Sequence, residues 1–282
     1  QYFHGDVCRT DTLEVLFAGK PEGEVIVIHG AGMISISKYV TPAVYDVNVN
    51  GTKNMIHISL RHGVHRFVYV SSVHAIPESA AGRKIVEADH FSPDNVVGEY
   101  AKTKAEATQA VLDAVKEGLP AVIVHPSGIL GPYDKGNNHL IQMVCDYIKG
   151  RIPVCVEGGY DFVDVRDVAK GCLLAAEKGR IDHCYILSGV YTSVYDLLAC
   201  VGKYSGKRPL PVIPMILAKM AAPVIEAAAK RQGRRPLFTA YSLYTLVSNS
   251  NFSNEKAQRE LGYRTRPLEE TVRDMVVWCR DF

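Results

Sequence analysis

Short, unbroken apolar runs alternate with longer helical patterns over the first two-thirds of the chain. Val25–His29, Phe67–Val70 and Ala121–His125 are rich in β-branched residues, the composition of strands buried on both faces. Between them, apolar positions recur at helical spacing from about Ala43 to Leu60 and from about Val97 to Lys116. Continuous apolar strands joined by helical crossovers predict an α/β architecture, a doubly wound parallel sheet.

After Gly131 the pattern changes. A helix is expected over about Asn138–Ile148. A strand at Phe162–Val165 leads into a helix over about Asp167–Glu177, and a further strand follows at Cys184–Leu187. From Ser193 onward the chain reads as mostly helical, cut by Pro209, Pro211 and Pro214, with a last helix from near Pro267. The longest apolar stretch, Val212–Ala229, is interrupted by Pro214, Lys219, Pro223 and Glu226, which predicts an amphipathic helix and no membrane span. Ligands of open α/β sheets bind beyond the carboxyl ends of the strands, at the point where strand order reverses. Chemistry is therefore expected at that edge.

Charge and cysteine usage narrow the classes. Among 282 residues, 32 Lys and Arg against 30 Asp and Glu leave a net charge of +2. That balance excludes a nucleic-acid-coating protein, which needs a basic excess, and an acidic disordered chain. The opening residues do not read as a secretory leader. Cys8, Cys145, Cys155, Cys172, Cys184, Cys200 and Cys279 are odd in number and form no C-x-x-C pair. They are expected to be free thiols of a reducing, cytoplasmic compartment. His57, His62 and His65 are spaced poorly for convergence on one ion, so no metal is expected.

Tyr100 and Lys104 stand four apart, on one face of a predicted helix. A free phenol titrates near 10. An ammonium group beside it favours the phenolate, which makes the pair a general acid–base device. Ser72 follows a strand, at the sheet's carboxyl edge, where a hydroxyl can donate to a developing oxyanion. Each feature alone has a plainer reading: chance helical spacing, or a turn serine. His74 is either a substrate-side group or a loop histidine. Lys230, Arg231, Arg234 and Arg235 suit either a phosphate-bearing substrate or a solvated surface loop. Tyr133, Tyr160, Phe162 and Tyr191 read as pocket lining or as core.

Taken in order, the motifs resemble the extended short-chain dehydrogenase/reductase superfamily, and do so over nearly the whole chain. They are Gly5-Asp6-Val7, Ile28-His29-Gly30-Ala31-Gly32, Asn48-Val49-Asn50-Gly51-Thr52-Lys53-Asn54, Phe67-Val68-Tyr69-Val70-Ser71-Ser72, Tyr100-Ala101-Lys102-Thr103-Lys104, His125-Pro126-Ser127-Gly128-Ile129-Leu130-Gly131-Pro132 and Asp161 to Ala169. The superfamily includes the NAD-dependent epimerase/dehydratases and the dihydroflavonol-reductase and 3β-hydroxysteroid-dehydrogenase-like reductases.

The resemblance implies a Rossmann-type domain over 1–131 plus about 161–190, and a smaller, mostly helical substrate lobe over 132–160 plus 191–282. It implies NAD or NADP as cofactor, with Asp6 and Val7 near the adenine, and Gly30, Ala31 and Gly32 beside the pyrophosphate and ribose. Asn48 would support the active site. Val70, Pro126, Gly128 and Ile129 would border the nicotinamide side. Ser72, Tyr100 and Lys104 would be catalytic: Tyr100 shuttles the proton, Lys104 lowers its pKa and binds the ribose, and Ser72 orients the carbonyl. His74 and Ser127 are the substrate-side candidates. A small-molecule substrate is implied, with no nucleic-acid or membrane partner, and two copies would pair through helices 43–60 and 97–116.

Two departures matter. No glycine-rich strand–turn–helix stands within Gln1–Glu24; the resemblance places such a module, of about 50–65 residues, ahead of Gln1. Val73-His74 follows Ser72 where sugar-nucleotide dehydratases carry Asp-Glu, and His125-Pro126-Ser127-Gly128 stands where epimerases carry an Arg-Tyr-x-Asn-type run. The expectation is a reductase or dehydrogenase of carbonyls and secondary alcohols. The alternatives are a nucleotide-sugar epimerase and a non-catalytic NAD(P) sensor.

Overall fold

The computed structural model describes residues 1–20, 23–35, 41–80, 82–134, 138–231 and 239–280. Its centre is a four-stranded parallel sheet: β1 (Ile26–His29), β2 (Arg66–Val70), β3 (Ala121–Pro126) and β7 (Cys184–Leu187), side by side in that order. The register pairs His29 with Tyr69, Val70 with Val124 and Pro126 with Leu187. All four strands therefore end at one edge.

Side chains alternate across the sheet. Phe67, Tyr69 and Ile123 face one core with α2 (Gly51–Arg61) and α3 (Glu99–Lys116). Val68, Val122, Val124 and Leu187 face the other, with α5 (Val165–Lys178) and α9 (Glu255–Leu261). Covering both faces is what the unbroken apolar strands require. On α3 the sheet-facing positions include Ala101, Ala105 and Ala107, all buried, which lets the helix backbone lie close to the strands.

The helical stretch expected over 43–60 is not one regular helix. A short α1 (Pro42–Tyr45) passes through a π turn over Asp46–Asn50 before α2 begins. The wider turn buries Asn48 and Val49. Such turns are frequent at functional sites.

The rest of the chain builds the site's far wall. A second sheet contains β4 (Gly128–Leu130), β6 (Gly159–Asp164) and β8 (Val190–Ser193), with β6 parallel to β4 and antiparallel to β8. Helices α4 (His139–Ile148), α6 (Val194–Ser205) and α10 (Leu268–Arg280) pack together beside it. The stretch from Val212 does not form a single helix. Val212–Ile213 is strand β9, paired with β5 (Cys155–Val156), and Pro214 separates it from α7 (Met215–Arg231). Proline lacks the N–H that a ladder needs, and it is tolerated at a helix start. Helix α8 (Ala240–Thr245) follows. No described helix is long and apolar enough to cross a membrane.

Asp164 caps α5, its carboxylate accepting the Arg166 N–H at 2.7 Å. Arg166 reaches Asp274 of α10 at 2.7 Å, and Arg266 reaches Asp167 at 2.9 Å. The late motif thus serves as a knot that holds the last helix.

The free-thiol expectation fails for one pair. Cys145 on α4 and Cys279 on α10 form a disulfide, with Cα atoms 5.7 Å apart. The two helices bring together residues 134 positions apart, which no local spacing reveals. A cross-link over so long a loop stabilises by about 3–5 kcal/mol in the chain-entropy account. Reduction, or Cys279→Ser, is expected to lower Tm by several degrees, as read by calorimetry with and without a thiol reductant. An unchanged Tm would show that the pair contributes nothing.

Candidate active site

The carboxyl edge of the sheet opens into a cavity of about 360 Å³. Three of the four strand ends contribute small or hydroxyl residues: Gly30 and Gly32 after β1, Ser71 and Ser72 after β2, Ser127 and Gly128 after β3. Tyr100 and Lys104 reach it from α3, one helical turn apart. Val70, Pro126 and Ile129 line it as well, as does His74. Ala31 and Asn48 are outside its lining, and so are Asp6 and Val7.

Ala31 is exposed, and the other three residues outside the lining have structural partners. Asn48 accepts the Met33 N–H at 2.7 Å and donates to the Met33 carbonyl and to the Thr103 hydroxyl. It pins the loop after β1 to α3, next to Lys104. Val7 packs on Gly51, where a Cβ would come within 2.6 Å of its side chain. The Val7 carbonyl accepts from Asn54, and Asp6 accepts the Cys8 N–H. Tyr160 and Phe162 line the cavity. Tyr133 and Tyr191 do not: both are largely exposed, because Tyr133 stands edge-on against Trp278 and Tyr191 lies on the outer strand β8. Arg234 and Arg235 lie outside the described residues, as does the side chain of Lys230. His62 pairs with Glu14 at 2.9 Å and stacks on Phe17.

Ser72 is held by its backbone. Its carbonyl accepts from His125 Nδ1 at 2.9 Å, and the His125 ring stacks on Phe91. Burial pushes His125 down to about 4, so the ring is neutral and Nδ1 carries its proton. The Ser72 hydroxyl accepts the His74 N–H at 3.2 Å. Beside it, the Tyr100 phenol is pushed up to about 12 by burial, against a downward pull from the Ser72 hydroxyl.

Lys104 departs from the sequence expectation. Its ammonium donates to the Tyr69 hydroxyl at 3.0 Å and to the Val70 carbonyl at 2.8 Å. It does not hold Tyr100 as a phenolate. Desolvation dominates both groups, lowering Lys104 to about 7 and raising Tyr100. Tyr100 is thus a phenol at neutral pH.

Three contributors escaped the sequence reading. Tyr69 holds Lys104, and its place in the strand, in alternation with Val68, puts it on the α3 face. His125 holds Ser72. Tyr241 of α8 enters the cavity wall from far along the chain. Gly98 makes room for it: a Cβ there would lie 2.1 Å from the Tyr241 ring, and φ is +101°. A glycine immediately before a helix was the only local sign. Asp161, beneath Ser127, accepts the Gly189 N–H at 2.8 Å and is raised to about 6 by burial.

Gly30 leaves the cavity floor open, with nothing nearer than 3.9 Å to a would-be Cβ, whereas Gly128 packs tightly on Tyr160 and Asp161, and a Cβ on Gly32 would stand 3.4 Å from the Asn48 side-chain amide oxygen. This open floor, with two hydroxyls and an ammonium beside it, fits the nicotinamide–ribose half of a dinucleotide. Such a fold and site define a Rossmann-type dinucleotide enzyme.

Residues 1–187 match the NAD dependent epimerase/dehydratase family, and the chain belongs to it. It is an NAD(P)-dependent enzyme of the extended short-chain dehydrogenase/reductase type. The chain is 30% identical over 268 residues to sterol demethylase protein B of Methylococcus capsulatus, covering 92% of this chain and 80% of that protein. It is 29% identical over 258 residues to a putative dihydroflavonol 4-reductase of Synechocystis, covering 90% and 75%. The crystal structure of gox2253 superposes with a TM-score of 0.79 at 34% identity, covering 98% of this chain and 83% of that one.

Two measurements check the site's energetics. The folded state disfavours the Lys104 ammonium, so its cost is full below pH 7 and fades as pH rises toward the ordinary value of 10.5. The Tm of Lys104→Met relative to the parent is therefore expected to be most favourable at pH 6 and to decline steadily by pH 10. A flat difference would mean that Lys104 is not desolvated. Gly98→Ala is expected to cost about 1–3 kcal/mol through backbone strain and displacement of Tyr241; a denaturant midpoint equal to the parent's would contradict that packing.

Proposed function

We propose that the protein reduces a carbonyl compound, or oxidises the matching secondary alcohol, with Tyr100 as the proton donor and acceptor. The observation that carries the reading is the Tyr100 phenol, protonated at neutral pH, standing beside the Ser72 hydroxyl in a cavity whose remaining wall is mainly apolar. Ile129, Leu140, Met143, Phe162 and Leu246 supply much of that wall.

When bound, the nicotinamide supplies or receives the hydride at the substrate carbon. The chain does the rest. Ser72, fixed by His125, holds the substrate oxygen. Tyr100 transfers its proton to that oxygen as charge develops there, so that carbonyl, hydride and proton together make the alcohol. The apolar wall excludes water and strengthens both hydrogen bonds. Lys104, held on Tyr69 and Val70, keeps an ammonium close to where a ribose would lie.

No arginine lines the cavity among the described residues, and its one lysine is already engaged. A diphosphate would find little charge to meet it, which favours an uncharged substrate over a nucleotide sugar. A neighbour named as a dihydroflavonol 4-reductase supports the same direction.

The test is Tyr100→Phe, assayed by NADH and NADPH consumption against a panel of apolar ketones and aldehydes. Turnover is expected to fall at least about 100-fold while circular dichroism and Tm stay near the parent's. A variant keeping more than a tenth of parental activity would remove Tyr100 from its role.

A further inference from the structure

The cavity has one polar feature that carbonyl reduction does not use. His74, on the turn after Ser72, lies between two tyrosine hydroxyls. Tyr160 Oη is 3.0 Å from its Nε2, and Tyr241 Oη is 3.4 Å from its Nδ1. The Tyr160 ring stacks on the imidazole, and the Tyr100 ring meets it edge-on with centroids 6.0 Å apart. All four residues line the cavity. We propose that Tyr160, His74 and Tyr241 form a second oxygen-recognition site, selecting a carbonyl substrate that bears another hydroxyl or carbonyl oxygen near the reacting carbon. The proposal rests on the reductase reading above and specifies its substrate class.

Hydrogen counting fixes what the two hydroxyls can offer. Burial keeps His74 neutral, at about 4. A neutral imidazole has one N–H and one bare nitrogen. One flanking tyrosine must therefore donate to the ring and keep its lone pairs for the cavity. The other must accept from the ring and keep its own hydrogen for the cavity. Either tautomer leaves one donor and one acceptor, one on each side of the ring, and the ring links their directions. Both phenols stay protonated, because burial raises each of them. The bond to Tyr241 is the longer, so that hydroxyl has the most to gain from a further partner.

The two hydroxyls satisfy the buried ring, whose nitrogens phenylalanines would leave unpaired, and each keeps a further hydrogen-bonding direction at the edge of the open cavity. A substrate oxygen placed beside Tyr100 would give one of the two hydroxyls its further partner. A substrate without one leaves partly paired polar groups against apolar surface, and sites built to bind an oxygen reject analogues that lack it.

The experiment compares matched substrates on the parent enzyme with NADH or NADPH: acetophenone against 2-hydroxyacetophenone, and cyclohexanone against 2-hydroxycyclohexanone. The oxygen-bearing member is expected to have a kcat/KM higher by roughly tenfold or more in at least one pair. Tyr241→Phe and Tyr160→Phe are each expected to bring that ratio toward one, mainly through KM for the hydroxyketone. The ratio is internal to each variant, so a general loss of activity or stability does not move it. A ratio near one in the parent, or one that survives both substitutions, overturns the oxygen site and leaves the reductase reading standing. Absence of turnover with all four compounds, or Tyr100→Phe retaining activity on them, overturns the reading beneath it as well.

Discussion

Parallel pairing of β1, β2, β3 and β7 is the constraint from which the site follows. Because all four strands run one way, their carboxyl ends open along a single edge, and each connection must return over a face of the sheet. Residues far apart in sequence, Gly30, Ser72 and Ser127, therefore stand in one row. The covering helices are fixed by the same requirement. Tyr100 and Lys104 share a cavity because α3 must pack across β2 and β3, where its alanines permit a close approach.

That packing also decides the electrostatics. Lys104 is buried against the sheet, with its ammonium on Tyr69 and on the Val70 carbonyl. A buried charge is tolerated only with partners, and the two it has lie at the strand end rather than at Tyr100. The phenol consequently gains no direct help in ionising, and burial raises it. The phenol therefore stays protonated at neutral pH, and on the proposed reading its proton would pass to a substrate oxygen held by Ser72. His125 and Asn48 fix this arrangement from behind, each through backbone or hydroxyl contacts of elements that carry the reacting groups.

What could be read from the sequence was what local pattern encodes. Strand runs, the helical spacing of Tyr100 and Lys104, and Ser72 at a strand end all depend on neighbours within a few positions. What could not be read depends on tertiary contact. The Cys145–Cys279 bridge joins two helices from distant parts of the chain. Tyr241 reaches Gly98 across more than a hundred residues. Lys104 chose Tyr69 over Tyr100 through burial, which spacing does not report. The π turn at Asp46–Asn50 was hidden for a related reason: its apolar pattern is helical, and the contacts of Asn48 with the loop after β1 lie far away in sequence.

The two halves of the site consequently answer different questions. On the proposed reading, the sheet edge and α3 supply the groups that handle hydride and proton, and any carbonyl would satisfy them. Selection would then fall to what faces them: β6 with Tyr160 and Phe162, and α8 with Tyr241. These elements are tied back to the sheet by strong, specific contacts. Gly98 is cut to the shape of Tyr241, and Asp164 and Asp167 bind the arginines that anchor the last helix. Tyr241 thus packs against the residue that opens the helix carrying Tyr100. On the proposed reading, a substrate oxygen engaging Tyr241 would lie against the wall that abuts the start of that helix.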